Sequence, residues 1–300
     1  MTASRALLTW VERQVDGCRP IALRYFRSTK LAVRRKPDGS PVTAADRAIE
    51  ERLRRALERD HPGERIVGEE YGDSGHQEST YWTIDPIDGT RAFSRGLPSW
   101  GIMVGRVERG VPVLGVIDFP AIGTRLLVAP GAPAGERSDK STMTFHERSP
   151  ARVSRDDRRI LRFPRVSAGP RLEDAVVFHG GTRYWARTRY RTGFSRLLTT
   201  CYLERAYGDC YGFLWAFRGH ADAVLEYGVK PWDLVPLAAV ARVTGWAFTD
   251  CAGRPHFLGP ELIMAKPGLI RPIATMLRKR SERLIKYDLA RATSHRSFVG

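Results

Sequence analysis

Two aspartates lie three residues apart in a segment, 82–90, whose neighbouring residue types favour a strand followed by a turn. The proline after Asp85 favours an extended conformation for that residue, so Asp85 closes an apolar strand. Asp88 comes next, Gly89 permits a tight turn, and Thr90 stands where a short helix can begin. Carboxylates on such a turn can bind two hard cations, and the amide groups of Gly89 and Thr90 would then face a phosphate. A plain strand-to-helix turn capped by aspartate has the same pattern, so this segment alone leaves both interpretations open.

Other acidic residues stand where predicted elements begin or end. Glu69 and Glu70 follow a short apolar strand, Asp46 lies in the first turn of a predicted helix, and Asp233 lies at the start of a later helix. Each has a simpler interpretation, because Glu69 and Glu70 could be solvated loop acids. Asp46 could form a capping box with Thr43, and Asp233 could be a helix N-cap. Their joint placement at element ends favours a metal site over four unrelated coincidences.

The periodicity of apolar residues predicts the elements that position these acids. Helical spacing predicts helices at 2–28, 43–59, 183–198, 209–218, 233–243 and 269–285. Apolar runs bounded by glycine and proline predict strands that end at residues 68 and 85, and strands at 102–107, 113–119, 125–128, 175–178, 223–226 and 246–249. Strands in succession followed by strands alternating with helices indicate an α+β part and then an α/β layer.

A segment without periodicity, 130–149, separates the two parts and is rich in Gly, Pro and charged residues. It predicts a domain junction or a mobile loop. We therefore expect an N-terminal α+β subdomain at 1–135 that carries most of the acids. We expect a C-terminal α/β subdomain at 150–285 that carries Asp233, and a tail at 286–300.

The N-terminal residues and the cysteines bear on the cellular compartment of the protein. No apolar run approaches the roughly 18 residues that a bilayer span needs. Arg5, Glu12, Arg13 and Asp16 interrupt the N-terminal helix, so a secretory signal is not expected and we predict a cytoplasmic protein. The four cysteines match neither a zinc site nor a disulfide framework, and we expect them to be reduced.

The net charge of the 300-residue chain is +16. The basic residues are mostly arginines scattered along the chain, and no zinc finger, RNA-recognition motif or basic zipper is present, so a nucleic-acid partner is not expected. Two interpretations stay open. The charge could be an arginine-rich surface with many ion pairs, or a field that attracts phosphate esters.

Four motifs in order resemble a known family. Segment 85–90 with Phe93 resembles the first signature of the inositol monophosphatase superfamily, and Trp232-Asp233 before an apolar helix resembles the second. Segments 68–70 and 40–46 also stand in the family's order, so the resemblance covers roughly residues 35 to 250. It implies a layered α-β-α-β-α sandwich of the sugar-phosphatase type, with a largely antiparallel N-terminal sheet and a mixed C-terminal α/β layer.

The resemblance also implies an Mg²⁺-dependent phosphomonoesterase with two or three Mg²⁺ per site. The metal ligands would be Glu69, Asp85, the carbonyl of Ile87, Asp88 and Asp233.

The remaining roles would fall to three further residues and the turn after Asp88. Thr90, oriented by Asp46, would position a water held by the metal, and Glu70 would help to hold this water or a third ion. Gly89 and Thr90 would bind the phosphate. Metals would clamp the attacking and leaving oxygens during an in-line displacement. A haloacid-dehalogenase-type phosphatase is excluded, because its aspartyl nucleophile belongs to an Asp-x-Asp motif after the first strand.

Several segments resemble the histidinol-phosphate phosphatase branch in particular, namely 36–43, 115–118, 205–211 and 226–233. By family position, Asp209 and Glu226 would line the alcohol side of the pocket, where two carboxylates suit a cationic leaving group. Asp209 could instead cap the helix that it begins. Arg205 could steer the substrate or pair with a neighbouring acid.

We therefore expect hydrolysis of histidinol phosphate, with a homodimer as the assembly. The alternatives are inositol 1-phosphate, a secondary-metabolite phosphate and 3′-phosphoadenosine 5′-phosphate, whose adenine could stack on Tyr184, Trp185 or Tyr211. A different hypothesis is a catalytically weak homologue that binds nucleic acid or acts as a scaffold, but every acid expected of the metal site is present. Two segments depart from the family pattern: 131–145 lacks the usual Asn-Gly hairpin, and Trp246 replaces a small residue.

Overall fold

Helices and sheets alternate in layers through the computed structural model, which describes residues 3–29, 31–37, 39–75, 79–129, 143–147, 159–161 and 166–278. Within these ranges the α-helices are α1 Ala3–Tyr25, α2 Ala44–Asp60, α3 Thr90–Ser94, α4 Thr182–Trp185, α5 Arg191–Thr200, α6 Asp209–Phe217, α7 Pro231–Thr244 and α8 Pro267–Arg278. None of these helices is long and apolar enough to cross a membrane.

The first sheet has eight strands in the order β10-β9-β8-β7-β6-β5-β3-β4. The strands are β3 Arg65–Gly68, β4 Gly72–Asp73, β5 Tyr81–Asp88, β6 Gly101–Glu108, β7 Val111–Phe119, β8 Thr124–Val128, β9 Met143–Glu147 and β10 Arg159–Leu161. All neighbouring pairs are antiparallel except β3 and β5, which are parallel. A separate antiparallel hairpin, β1 Val33–Arg35 and β2 Pro41–Thr43, precedes α2.

The second sheet has five strands in the order β12-β11-β13-β15-β14. The strands are β11 Val176–His179, β12 Leu203–Arg205, β13 Ala223–Tyr227, β14 Ala247–Thr249 and β15 Glu261–Ala265. β11 pairs in parallel with β12 and β13, whereas β15 runs antiparallel to β13 and β14. This second sheet is therefore mixed, as the sequence predicts.

Side chains of alternating direction on the first sheet divide the core into layers. Ile102 and Val104 of β6 pack with α1 and α2, whereas Met103 between them packs with α6, α7 and the second sheet. A third cluster joins the far face of the second sheet to α5 and α8. The predicted α-β-α-β-α sandwich is confirmed.

A pair of glycines brings α7 against the first sheet. Gly105 and Gly115 lie opposite each other on β6 and β7. A Cβ atom on Gly105 would lie 3.0 Å from Cδ of Pro236, and one on Gly115 would lie 2.4 Å from its carbonyl oxygen. Because neither contact leaves room for a methyl group, the glycines set the distance between the helix that carries Asp233 and the sheet that carries Asp85.

The bulky residue at position 246 is accommodated in the core. α7 ends at Thr244 and is capped by Gly245, which adopts φ +82°, and Trp246 follows with 5% exposure. Its indole meets the ring of Phe217 edge-on, with the centroids 6.2 Å apart. The indole thus fills space between α6 and α7 and lies in the core rather than in the acidic site.

Several sequence predictions need correction. The single helix predicted at 183–198 is wrong, because residues between Ala186 and Tyr190 form a turn that separates α4 from α5. The hairpin β1–β2 and strands β12 and β15 were not predicted, since each is short or lacks clear alternation. The four cysteines are unpaired, as expected.

The subdomain boundaries stay predictions. Most of the predicted junction 130–149, the departure at 131–145, the helix end beyond residue 278 and the tail 286–300 lie outside the described residues. The first sheet nevertheless continues past this junction through β9 and β10 to Leu161.

Gly115→Ala should lower the free energy of unfolding by about 1–3 kcal/mol, because the new methyl group would overlap the backbone of α7. Urea denaturation followed by circular dichroism measures this change. Gly75→Ala is the control, since a Cβ atom there meets its nearest neighbour at 3.4 Å. Equal stability of the two variants would show that the glycine does not set the helix-to-sheet distance.

Candidate active site

The carboxyl end of β5 carries the two aspartates on an irregular piece of strand. The pairing register of β5 with β6 shifts between Asp85 and Asp88, and such a bulge turns side chains in new directions. The amide of Ile87 donates to Oδ1 of Asp85 at 3.0 Å. Gly89 follows with φ +81°, and a Cβ atom there would lie 2.8 Å from a backbone oxygen, so this position requires glycine.

Asp233 reaches the same place from α7. It is the third residue of the helix, and its Oδ2 accepts a hydrogen bond from the amide of Lys230 at 2.8 Å. The simpler interpretation of Asp233 as the N-cap is therefore wrong, since Lys230 occupies that position. One carboxylate oxygen each from Asp85, Asp88 and Asp233 lies within 4.8 Å of the other two, a group that could hold a metal ion.

Crowding of these carboxyl groups changes their protonation. Burial, followed by the charges of Glu69, Asp88 and Asp233, holds the pKa of Asp85 well above its usual range. Burial and the charge of Asp233 raise the pKa of Asp88 to about 7. Burial likewise raises the pKa of Asp233 to about 7, and the Asp85 carboxyl is hydrogen-bonded to it. A divalent cation that binds oxygen ligands would relieve this repulsion, so the donor set fits such an ion.

Thr90 and Asp46 are brought together, as the sequence predicts. The Thr90 hydroxyl donates to the carbonyl oxygen of Ile87 at 2.9 Å and lies 3.3 Å from Oδ1 of Asp46. The other carboxylate oxygen of Asp46 accepts from the amide and hydroxyl of Thr43 at 2.8 and 2.6 Å. Asp46 therefore closes a capping box at the start of α2, and it also reaches Thr90, whereas its part in positioning a water stays a prediction. Burial raises the pKa of Asp46 to about 6.

Lys36 joins the two glutamates after β3, a contact that was not predicted. Its Nζ lies 2.7 Å from Oε1 of Glu69 and 2.6 Å from Oε1 of Glu70. Burial raises the pKa of Glu70 to about 7 against the opposing effect of the Lys36 ammonium group. The amide of Glu69 donates to the carbonyl oxygen of Ile84 at 3.2 Å, which ties this turn to β5.

A cavity of about 340 Å³ opens beside Asp88 and Asp233. Its polar lining includes the predicted substrate residues Asp209 and Glu226, together with Arg91, which is the one basic residue lining it in the described part of the chain. Asp88 and Asp233, two of the predicted metal ligands, thus line the same cavity as Asp209 and Glu226.

Asp209 begins α6 in an uncommon backbone conformation and is linked to the metal-site acids. Its φ is +57°, in the left-handed region that few side chains other than Asn and Asp tolerate. The amide of the next residue, Cys210, donates to Oδ2 of Asp88. Although Asp209 is open to solvent through the cavity, the surrounding protein and then the charge of Asp88 raise its pKa to about 7.

Glu226 lies at the end of β13 and is buried beneath two glycines. A Cβ atom on Gly180 would lie 1.8 Å from its Oε2, and one on Gly208 would lie 3.2 Å from its Oε1. The same Oε1 has no hydrogen-bond partner among the described residues. Burial and the charge of Asp209 raise the pKa of Glu226 well above its usual range. An unpartnered buried carboxyl oxygen facing a cavity can accept a hydrogen bond from a ligand.

Arg205 is not brought to the cavity. Its side chain is exposed and donates to the carbonyl oxygen of Glu204 at 2.7 Å, and only its neighbour Ala206 lines the cavity. Arg91 lies at the cavity instead and contacts the Tyr184 hydroxyl at 3.3 Å. Because Arg91 directly follows Thr90 in the sequence, its presence at the cavity could have been predicted.

One of the three aromatic residues considered for stacking lines the cavity. Tyr184 does so, and its ring lies against Gly181 and Gly228. Trp185 is buried against Phe194, with the stacked rings 4.5 Å apart. Tyr211 packs edge-on against the rings of Tyr207 and Trp215 and is not part of the cavity lining.

The family model of the inositol monophosphatase family matches residues 7–287. The chain belongs to the inositol monophosphatase family. It is accordingly a phosphatase that hydrolyses phosphate monoesters, which does not support the hypothesis of a catalytically weak homologue that binds nucleic acid or acts as a scaffold.

Individual relatives agree with this family. The chain is 36% identical to the histidinol-phosphatase of Mycobacterium tuberculosis over 77% of its own length and 83% of that protein. It is 30% identical to the histidinol-phosphatase of Chlorobaculum parvum over 80% of its own length and 84% of that protein. The structure of an inositol monophosphatase from Zymomonas mobilis superposes with a TM-score of 0.75 at 28% identity, covering 93% of this chain and 100% of that one. The predicted resemblance to the histidinol-phosphate phosphatase branch is confirmed.

Asp88→Asn should stabilise the metal-free protein by on the order of 2 kcal/mol at pH 8. The pKa of Asp88 is about 7 in the folded protein and 3.8 in the unfolded chain. The free energy of unfolding is therefore unaffected by this group at low pH and decreases as the pH rises from 3.8 to about 7 and Asp88 ionises. Asparagine resembles the protonated acid, so the difference from wild type should shrink towards pH 4. Urea unfolding in the presence of a chelator at both pH values measures it.

Asp250→Asn is the control with the opposite sign. Burial would raise the pKa of Asp250, but hydrogen bonds from the amides of Arg254 and Ala252 and from the Arg254 guanidinium lower it overall. Its stabilising effect is present above the unfolded pKa and is lost as the pH falls. Asp250→Asn should therefore destabilise the protein at pH 8, and a similar loss in Asp88→Asn would contradict the repulsion inferred for the acidic cluster.

Proposed function

We propose that this chain is an Mg²⁺-dependent phosphomonoesterase that acts on histidinol phosphate or a closely related amino-alcohol phosphate. The observation that carries the proposal is the meeting of two acidic groups on one cavity. Asp88 and Asp233 belong to a group that can hold metal, and Asp209 and Glu226 line the other side. The names of the bacterial relatives support the choice of substrate.

The donor set supports Mg²⁺ because it offers only oxygen ligands. The proposed ligands of two or three ions are Glu69, Asp85, the carbonyl of Ile87, Asp88 and Asp233. Bound Mg²⁺ supplies a Lewis acid that polarises the phosphoryl group and lowers the pKa of water.

The residues around the turn after Asp88 have complementary tasks. The Thr90 hydroxyl, held between Ile87 and Asp46, orients the attacking water. When Asp46 is ionised, above its pKa of about 6, it can accept a hydrogen bond from this hydroxyl in place of the Ile87 carbonyl. Glu70, held by Lys36, is poised to exchange protons near neutral pH because its pKa is about 7. The amides of Gly89 and Thr90 are the proposed phosphate donors.

The alcohol side of the cavity selects for positive charge. Among the described residues, no ion pair is formed by Asp209 or Glu226, and Arg91 is the one basic residue that lines their cavity. An ammonium or imidazolium group can donate charge-assisted hydrogen bonds to both carboxyl groups. A neutral polyol such as inositol would instead need donors and acceptors matched to each hydroxyl. A secondary-metabolite phosphate that carries an amine stays an alternative.

A 3′-phosphoadenosine 5′-phosphate substrate receives less support. Of the three aromatic residues considered for stacking, only Tyr184 lines the cavity, so these residues cannot hold an adenine ring on both faces. The homodimer and the cytoplasmic location stay predictions from the sequence.

Purified protein should release phosphate from histidinol phosphate in the presence of Mg²⁺ and not in excess EDTA. Inositol 1-phosphate, 3′-phosphoadenosine 5′-phosphate and fructose 1,6-bisphosphate complete the panel. Asp88→Asn should reduce kcat by at least about 100-fold while the circular dichroism spectrum stays unchanged, because it removes a ligand shared by the metal group. Full turnover in EDTA would refute the metal proposal, and a preference for inositol 1-phosphate would refute the substrate proposal.

Asp209→Asn should raise KM for histidinol phosphate about 10-fold or more and leave KM for inositol 1-phosphate nearly unchanged. Asparagine tolerates the left-handed backbone of this position, so the fold should be retained. Arg205→Gln is the control, since its guanidinium lies outside the cavity, and we expect KM values close to wild type. An equal effect of Asp209→Asn on KM for both substrates would show that Asp209 does not discriminate between them.

A further inference from the structure

Helix α2 presents a row of buried ionisable side chains to the active site. Asp46, Glu50 and Arg54 are spaced four residues apart, which places them on one face of the helix. Asp46 and Glu50 are 0% exposed and Arg54 is 9% exposed. Only Asp46, the first of the three, has a role in the proposed function.

Glu50 accepts hydrogen bonds from the backbone of the turn that carries the two glutamates. Its Oε2 accepts a hydrogen bond from the amide of Glu70 at 2.7 Å, and its Oε1 accepts one from the amide of Tyr71 at 3.1 Å. A Cβ atom on Gly68 would lie 2.0 Å from Oε1, so a glycine just before the turn is needed for this approach. Both carboxylate oxygens are thus used to fix backbone amides beside Glu69.

Arg54, on the next turn of α2, binds both Glu50 and the backbone of the same turn. Its Nε donates to Oε1 of Glu50 at 2.8 Å, and its Nη2 donates to the carbonyl oxygen of Gly72. A buried ion pair by itself contributes little to stability, because desolvation offsets the attraction. Here each partner also holds main-chain groups of the same turn, which makes the pair a support for that turn.

We propose that Glu50 and Arg54 are positioning residues that hold Glu69 and Glu70 at the metal site and fix their position relative to Asp46. The proposal rests on the proposed metal function. Through this row α2 fixes two parts of the site at once, because Asp46 holds Thr90 at one end while Glu50 and Arg54 hold the glutamate turn. Neither Glu50 nor Arg54 lines the cavity or belongs to the acidic group that could hold a metal ion.

The same helix offers a matched control one residue further along. Glu51 and Arg55 form an ion pair with the same spacing, but their side chains are 50% and 74% exposed. Glu51→Gln therefore makes the same chemical change to an i,i+4 pair on the solvent side of α2.

Isothermal titration of Mg²⁺ into wild-type protein and the variants Glu50→Gln, Arg54→Gln and Glu51→Gln tests the proposal without substrate. Glutamine keeps the shape of Glu50 but replaces one acceptor oxygen with a donor, so it cannot accept from both amides. We expect Mg²⁺ affinity to fall about 10-fold or more in the two buried variants and to stay at the wild-type value in Glu51→Gln. Each variant is compared at a temperature where circular dichroism shows it folded, and Arg54→Gln serves if Glu50→Gln does not fold.

Kinetics with histidinol phosphate separate positioning from a general loss of stability. In the buried variants the Mg²⁺ concentration for half-maximal activity should rise, and kcat should fall, while KM at saturating Mg²⁺ stays within about twofold because the alcohol side is untouched. Lower unfolding stability with unchanged Mg²⁺ affinity would overturn the proposal and leave Glu50 with a structural role only. Absence of Mg²⁺ binding by the wild type would instead overturn the metal function itself.

Discussion

Mutual repulsion of crowded and largely buried carboxyl groups, of which Asp88 and Asp233 keep some exposure, is the constraint on which this structure depends. Asp85, Asp88 and Asp233 crowd their oxygens within 4.8 Å, and burial with like charges raises the pKa of each. Left to themselves, such side chains would move apart into solvent, because isolated buried charges are costly. The surrounding layers must therefore be rigid enough to hold the three aspartates together. This requirement accounts for the close backbone contacts around them.

The elements that deliver the acids come from distant parts of the chain and are locked by backbone contacts. α7 reaches the first sheet only because Gly105 and Gly115 leave room for its main chain. Asp88 accepts the amide of Cys210, which fastens α6 to the end of β5, and the bulge before Asp88 turns it towards that helix. Main-chain atoms, rather than flexible side chains, thus set most of the geometry, which suits a site whose members repel one another.

The sequence predicted the parts of the site that depend on local chemistry. Proline after Asp85, glycine at position 89 and the capping box of Asp46 act within a few residues, so they could be recognised from spacing alone. The bridge from Lys36 to Glu69 and the approach of Arg91 to the cavity depend on tertiary packing between segments far apart in the chain. The turn that separates α4 from α5 was missed for a different reason, because its residues have an acceptable helical pattern. The four-residue spacing of the α2 row was visible, but it also describes a solvated helix face such as that of Glu51.

Charge at two length scales bears on the substrate. The chain as a whole has a net charge of +16, and one of the two interpretations of this charge is a field that attracts phosphate esters over long distances. The cavity has the opposite character, because among the described residues only Arg91 brings a positive charge to a lining that contains Asp88, Asp209, Glu226 and Asp233. A dianionic phosphate can enter such a cavity only together with cations that neutralise the acids at one end. The remaining acids then favour positive charge on the alcohol. An amino-alcohol phosphate satisfies both requirements in one molecule, whereas a neutral polyol brings no positive charge to the side of the cavity lined by Asp209 and Glu226.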